Sequence, residues 1–360
     1  MIARIACLVG ARPNFVKMAS ILAELRRREQ FTPVLIHTGQ HFSAEMSDSF
    51  FRDLDLPAPD VQLDVHGGST VQQTAKLMHA LEPVLGEGRY DLVLVVGDVN
   101  STFASAFVAS RFGIPVAHVE AGLRSFDRRM PEETNRILTD ALSNWLFTTE
   151  PSGERNLLAE GIRKEQIHFV GNVMIDTLLR FRHKAEESPV LETLGLDAGE
   201  YAVATLHRPA NVDDDGGLTG LFKMLRRIGD TLPVIFPVHP RTQVRLSAIG
   251  IAPGNVQVTP PLGYLDFMRL ISCARLVLTD SGGIQEETTI LGVPCLTLRT
   301  NTERPITITH GTNRLAGTDP EAILIAAEEC LSAPPPVLPP PPLWDGNASR
   351  RIADLLAAAL

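Results

Sequence analysis

Asp98, Glu120 and Glu132 are the side chains best placed by type and setting for acid–base work. Asp98 follows the apolar run 92–96 through Gly97, and Glu120 follows the apolar run 114–119. Ligands of parallel sheets bind beyond the carboxyl ends of the strands, so two acids on neighbouring strand ends can face one pocket. Carboxylates so placed can stabilise a developing cation or move a proton beside it. Glu132 follows Pro131, whose fixed φ suits the first position of a helix. Arg136 stands four residues on, shares its helix face and could hold Glu132 ionised. Glu132 and Glu133 would equally favour the helix dipole with no part in chemistry.

The basic candidates also fall at strand ends. His207-Arg208 closes the run 201–206, and His239 ends the run 232–238. Arg12 and Lys17 flank the first strand–helix junction, and Arg304 lies in Thr302-Glu303-Arg304-Pro305 after the last main strand. Together such cations could neutralise a diphosphate, although each alone reads more readily as a surface charge. Asp280-Ser281-Gly282-Gly283 follows the run 275–279 and should open a helix. Two glycines there let a phosphate reach the first-turn N–H groups. Taken alone, the same text is a plain turn with Ser281 as N-cap. Glu286 and Glu287 are expected in the first turn, where they suit the dipole and where a carboxylate could accept ribose hydroxyls.

These residues need a scaffold, and the chain supplies apolar runs alternating with amphipathic helices. Runs at 2–9, 33–36, 92–96, 114–119, 144–148 and 167–170 predict one set of strands. Runs at 201–206, 232–238, 256–259, 275–279 and 293–298 predict a second. Strand and helix alternating twice implies an α/β protein of two doubly wound, Rossmann-like domains, with the site expected in the cleft between them. The predicted boundaries are 1–170, carrying the carboxylates, and 171–335, binding the phosphates. Residues 336–360 form a proline-rich strap and terminal helix returning to the first domain. Residues 334–342 hold seven prolines in nine positions, which makes a stiff connector. Ile352, Leu355, Leu356 and Leu360 then share one helix face.

Composition narrows the function classes. The chain has 360 residues, 44% hydrophobic and 21% charged, as in ordered globular proteins. A net charge of −9 argues against nucleic acid or an anionic membrane as partner. The four cysteines, Cys7, Cys273, Cys295 and Cys330, show no C-x-x-C spacing, so neither zinc nor redox chemistry is indicated. Asp213-Asp214-Asp215 reads as a helix cap before it reads as a metal site. The first turn is Gly10-Ala11-Arg12-Pro13, without G-x-G-x-x-G, and no P-loop occurs, which counts against NAD. No cofactor is expected. No signal peptide or membrane span is read, so a cytoplasmic protein is expected.

Taken in order, the motifs resemble the non-hydrolysing UDP-N-acetylglucosamine 2-epimerase family. The matching text includes Gly10 to Pro13 with Lys17, Thr38-Gly39-Gln40-His41, Gly97-Asp98 and His118 to Arg124. It continues through Pro131-Glu132-Glu133, Asn135-Arg136, Leu138-Thr139-Asp140, Gly171-Asn172, Ile175-Asp176, His207-Arg208 and Pro237 to Pro240. It ends with Thr279 to Glu287, Thr302 to Pro305 and Gly317-Thr318-Asp319. The resemblance implies a GT-B arrangement, a homodimer, and a UDP-sugar as the small-molecule partner. It implies elimination of UDP to a 2-acetamidoglucal and re-addition from the other face, with no metal. Asp98, Glu120, Glu132 and His207 fall on the family's catalytic positions. Arg12, Lys17, Phe267, Ser281, Gly282, Gly283, Glu287 and Arg304 fall on its nucleotide positions, and Arg136, Arg208 and His239 join them as binding candidates. Gln40 and His41 are candidates for a second, activating substrate site, although His66-Gly67-Gly68 stands where some members place an Arg for it.

Some features depart from the best-known members. The stretch between Leu123 and Pro131 is shorter, and Pro209-Ala210-Asn211 follows His207-Arg208. These resemble a subgroup that includes epimerases of UDP-2,3-diacetamido-glucuronate. A hydrolysing relative releasing N-acetylmannosamine, a GT-B glycosyltransferase and a non-catalytic sensor are the competing readings. Glu120 and the Pro131-Glu132-Glu133 segment argue against the transferase. Binding alone does not need three acids, which argues against the sensor.

Overall fold

Leu92–Val96 reads LVLVV and is buried along its whole length, a pattern that only a strand covered on both faces can satisfy. Ala3–Val9 and Val116–Ala121 are likewise almost wholly buried. These runs assemble into two parallel sheets in a computed structural model that describes residues 2–39, 50–208, 211, 215–238, 240–250, 252–333 and 338–360. The chain divides into two compact units, residues 1–180 with 342–360, and residues 181–341.

The first unit holds β1 (Ala3–Val9), β2 (Phe31–His37), β3 (Val61–Gln62), β4 (Leu92–Val96), β5 (Val116–Ala121), β6 (Trp145–Thr148) and β7 (Ile167–Phe169). Their order is β3-β2-β1-β4-β5-β6-β7, all parallel. Helices α1 (Arg12–Arg26), α2 (Thr70–Glu87), α3 (Asn100–Arg111), α4 (Pro131–Leu142), α5 (Pro151–Ala159) and α6 (Val173–Glu186) intervene. The order reverses between β1 and β4, and Gly10 and Gly97 follow those two strands.

The second unit holds β8 (Ala202–Thr205), β9 (Val234–Pro237), β10 (Val256–Thr259), β11 (Leu276–Thr279), β12 (Cys295–Thr297) and β13 (Asn313–Leu315). Their order, β10-β9-β8-β11-β12-β13, reverses between β8 and β11. Its helices are α7 (Val190–Leu194), α8 (Asp215–Gly229), α9 (Pro240–Ile249), α10 (Tyr264–Ser272), α11 (Gly282–Leu291), α12 (Ile306–Thr309) and α13 (Pro320–Ser332). One apolar cluster, including Phe222, Leu225, Phe236 and Ile323, fills one face of this sheet. Another, including Tyr201, Val203, Ile235 and Ile271, fills the other.

The chain then rejoins the first unit through α14 (Ala348–Ala359). Ile352, Ala353 and Leu356 are fully buried. The carboxylate of Asp176 accepts from the N–H groups of Ala348 at 3.1 Å and Ser349 at 2.6 Å, closing the start of the helix. Trp344 donates its indole N–H to the Thr149 carbonyl at 2.9 Å.

Two local expectations need correcting. β5 runs on to Ala121, so Glu120 lies within the strand and not beyond it, at a register shift between Val119 and Ala121 with φ +73°. Ala117, Val119 and Ala121 keep pairing with β6, which carries the strand past the acid. Glu286 and Glu287 lie beyond the first turn of α11 and are buried, so neither serves as an exposed dipole charge.

Candidate active site

In the first unit, α1 and α4 bring charge to the ends of β4 and β5. Lys17, buried on α1, forms an ion pair with the Glu120 carboxylate. Gly97 makes this closeness possible. Its φ is +70°, and a Cβ on it would stand 3.0 Å from Lys17 Nζ and 3.8 Å from Glu120 Oε2. Asn14 ties α1 to the same strand end: its side-chain amide donates to the Val96 carbonyl at 2.7 Å and accepts from the Ala11 N–H at 3.0 Å.

Asp98 is held from α4. Asn135 donates to its carbonyl at 3.0 Å, and the Arg136 guanidinium pairs with its carboxylate. Arg136 also reaches Glu133 at 2.6 Å. Glu133 is buried and accepts from Ser125 N, Ser125 Oγ and Phe126 N, each at 2.9 Å, which fixes the loop before α4. Glu132 is half-buried, one turn before Arg136 on the same helix. Asp98, Glu120, Lys17 and Arg136 therefore meet around Gly97, with Glu132 on the adjoining helix. Arg12 begins α1, with its guanidinium 5.4 Å from the Phe50 ring centre.

In the second unit, the loops after β8 and β11 hold the other set. Asp280 is fully buried and accepts from His207 N at 3.1 Å, Arg208 N at 3.0 Å and Asn211 Nδ2 at 2.9 Å. His207 Nδ1 stands 2.6 Å from Asp280 Oδ1, while the His207 side chain is 63% exposed. Burial alone would raise the Asp280 pKa, but these hydrogen bonds and the His207 imidazole hold it at about 2. Asp280 thus fixes the His207 ring through Nδ1.

Ser281 precedes α11, and its N–H donates to Thr279 Oγ1 at 3.0 Å. Arg304 lies over the start of this helix: a Cβ on Gly282 would fall 2.3 Å from its Nη1. Arg304 pairs with Glu286 at 2.8 Å and Glu303 at 3.5 Å. Glu303 also accepts from Arg299 Nη1 at 2.9 Å and Arg299 Nη2 at 2.8 Å, and lies 3.6 Å from Arg208. Three arginines converge on one buried acid. Glu287 is fully buried, and burial pushes its carboxyl up to about 7; the Tyr264 hydroxyl, 3.1 Å away, opposes the rise and Glu286 adds to it. Phe267, half-buried on α10, packs against the core beneath.

Gln40, His41 and His239 lie outside the described residues. Among the described residues no cluster of metal-ligand side chains occurs, and no helix is long and apolar enough to cross a membrane. Residue types had flagged the charged ends of the strands but not their partners. Asp280, Tyr264 and Glu303 bond functional candidates directly, and Asn14, His118 and Asp140 bond backbone close to one. His118 and Asp280 carry a signal in the sequence, a polar residue inside or just after an apolar run, whereas Asn14, Tyr264 and Glu303 do not.

The family model described as UDP-N-acetylglucosamine 2-epimerase matches residues 23–357. A UDP-N-acetylglucosamine 2-epimerase of Methanococcus maripaludis is 41% identical over 363 residues, covering 98% of each chain. A UDP-2,3-diacetamido-2,3-dideoxy-D-glucuronate 2-epimerase of Pseudomonas aeruginosa is 41% identical over 359 residues, covering 98% of this chain and 99% of that one. Among solved structures, the Methanocaldococcus jannaschii UDP-GlcNAc 2-epimerase in complex with UDP-GlcNAc and UDP has a TM-score of 0.91. It is 39% identical and covers 99% of each chain.

Proposed function

The chain belongs to the UDP-N-acetylglucosamine 2-epimerase family, and from that premise we propose that it inverts C2 of a UDP-linked 2-acetamido sugar without hydrolysing it. The observation that supports this reading most directly is the meeting of Asp98 and Glu120, each beside a cation, at the strand reversal of the first sheet. Two ionised carboxylates suit a reaction whose transition state carries positive charge on C1.

The C1–O bond to UDP breaks with its electron pair leaving on the diphosphate. The C2 proton passes to a carboxylate of the first unit, and its bond electrons form the C1–C2 double bond of a 2-acetamidoglucal. UDP then adds back to C1 while a second acid returns a proton to the opposite face of C2. Asp98, Glu120 and Glu132 supply these acids and bases. Arg304, Arg208, His207 and the start of α11 at Ser281-Gly282-Gly283 stabilise the departing diphosphate. Glu287 and Phe267 take the nucleoside. No hydride acceptor is required, because no carbon changes its oxidation state overall.

The substrate is UDP-N-acetylglucosamine, giving UDP-N-acetylmannosamine. A second reading, UDP-2,3-diacetamido-glucuronate, draws support from the Pseudomonas aeruginosa relative. We also propose that the protein works as a homodimer, to be read by light scattering. Incubation with either UDP-sugar in deuterated water, followed by NMR, tests the chemistry. Deuterium at C2 of an intact UDP-sugar, with both epimers present, is the expected result. Accumulation of free N-acetylmannosamine would identify a hydrolase, and absence of exchange with both sugars would reject the reading.

A further inference from the structure

We propose that His118 carries a proton on both ring nitrogens and acts as a positioning residue, its two N–H groups locking the Gly97-Asp98 turn to the bend that carries Glu120. His118 is fully buried in β5, two residues before Glu120. Its Nδ1 lies 2.6 Å from Asp140 Oδ1, and its Nε2 lies 2.8 Å from the Gly97 carbonyl oxygen. A carbonyl oxygen and an ionised carboxylate can only accept. A neutral imidazole has a single N–H, so one of the two contacts would set a lone pair against a lone pair. Turning the ring over would place carbons at both positions and lose both bonds. Only the imidazolium satisfies both partners.

A buried cation is costly unless it is paired and hydrogen-bonded. The pairing here is complete. Asp140 Oδ2 accepts from the Gly122 N–H at 3.1 Å and lies 2.7 Å from Arg124 Nη2. Arg124 in turn donates to both oxygens of Glu160, at 2.8 and 2.6 Å. Two cations and two anions alternate from the surface to the Gly97 carbonyl, and the cluster is neutral. Burial alone would raise the Asp140 carboxyl, yet His118 and Arg124 hold it below its ordinary range.

The cluster grips the backbone on both sides of two proposed acids. Gly97 O is held directly, and Asp98 is the next residue. Gly122 N is held through Asp140, and Glu120 lies two residues before it, in a left-handed conformation at a register shift. Such a conformation persists only where its surroundings over-determine it.

The effect on turnover rests on the epimerase function proposed above, whereas the protonation state does not. In long-range 1H–15N spectra of 15N-labelled protein, both His118 nitrogens should lie in the protonated range. A bare nitrogen on His118 would overturn the proposal. Through-bond correlation to the backbone assigns the ring without any variant. His118→Gln keeps a donor but cannot reach both partners at once. It should lower kcat about 100-fold while KM changes less than about threefold. A folded variant with kcat within about threefold of the parent would remove the positioning role. If the parent turns over neither UDP-sugar, the function fails, and the spectra still decide the state of His118.

Discussion

At the scale of single residues, the candidate site is built from charges that already have partners. Glu120 faces Lys17, Asp98 faces Arg136, and His207 faces Asp280. A carboxylate beside a fixed cation is held in one place, where it can take up a proton from a bound substrate. Glu120→Gln keeps the shape and removes the charge, so kcat should fall by about 100- to 10,000-fold, with C2 deuterium exchange lost in parallel. Exchange at the parental rate would exclude Glu120 from proton transfer. Glu287 carries the opposite situation, a buried acid that prefers to be neutral, with its pKa at about 7 against an ordinary value of 4.5. The folded chain holds this proton more tightly than the unfolded one. Stability is therefore greatest below the unfolded pKa and declines as pH rises through the folded pKa, by on the order of 3 kcal/mol. Glu287→Gln should flatten the dependence of the thermal midpoint on pH between these two values and raise the midpoint above the upper one. It should also weaken UDP binding, read by calorimetry. An unchanged pH profile would mean that Glu287 ionises as freely in the folded chain as in the unfolded one.

At the scale of elements, the loop before α4 shows how a local cost is carried by a well-bonded frame. Phe126 has φ +58° and is 79% exposed, an unfavourable backbone for a residue with a bulky side chain and a poor use of an aromatic ring. Glu133 holds the loop through the N–H groups of Ser125 and Phe126, so the bend does not depend on the ring. Phe126→Asn keeps the N–H and tolerates the left-handed conformation. It should stabilise the chain by about 1 kcal/mol, seen as a higher thermal midpoint. No gain would show that the ring contributes a contact worth the strain. The strands were legible in the sequence because LVLVV in β4 and the apolar stretch of β8 can be little else. β3 and β13 escaped notice, since Val61–Gln62 and Asn313–Leu315 are short and mostly exposed or half-buried. The end of β5 was misplaced because an acid within a strand resembles the start of a loop. In the site, residue type and strand end marked Asp98, Glu120 and His207, but not what holds them. Lys17 reaches Glu120 and Asp280 reaches His207 only because β1 lies beside β4, and β8 beside β11. That adjacency is a property of the sheet order, which no local pattern encodes.

At the scale of the whole chain, the last residues belong to the first unit although the second unit separates them from it in sequence. Trp344, Ile352 and Leu356 are buried, and Asp176 closes the start of α14. Burying each large apolar side chain contributes about 1.5–3 kcal/mol, so the three together match a substantial part of a domain's stability of about 5–15 kcal/mol. Asp176→Ala removes the cap acceptor and leaves two buried N–H groups unpaired, at a cost of about 1–2 kcal/mol, which the first unit should survive. Removal of residues 343–360 is a different matter, because it exposes the surface that the three side chains cover and takes away the partner of the Thr149 carbonyl. Hydrogen exchange on the truncated chain should show β1, β4 and β5 losing protection while β8, β9 and β11 keep theirs, since no residue of 343–360 lies in the second unit. Equal protection in both sheets would mean that α14 merely rests on the first unit. Loss in both would mean that the two units fold as one cooperative body.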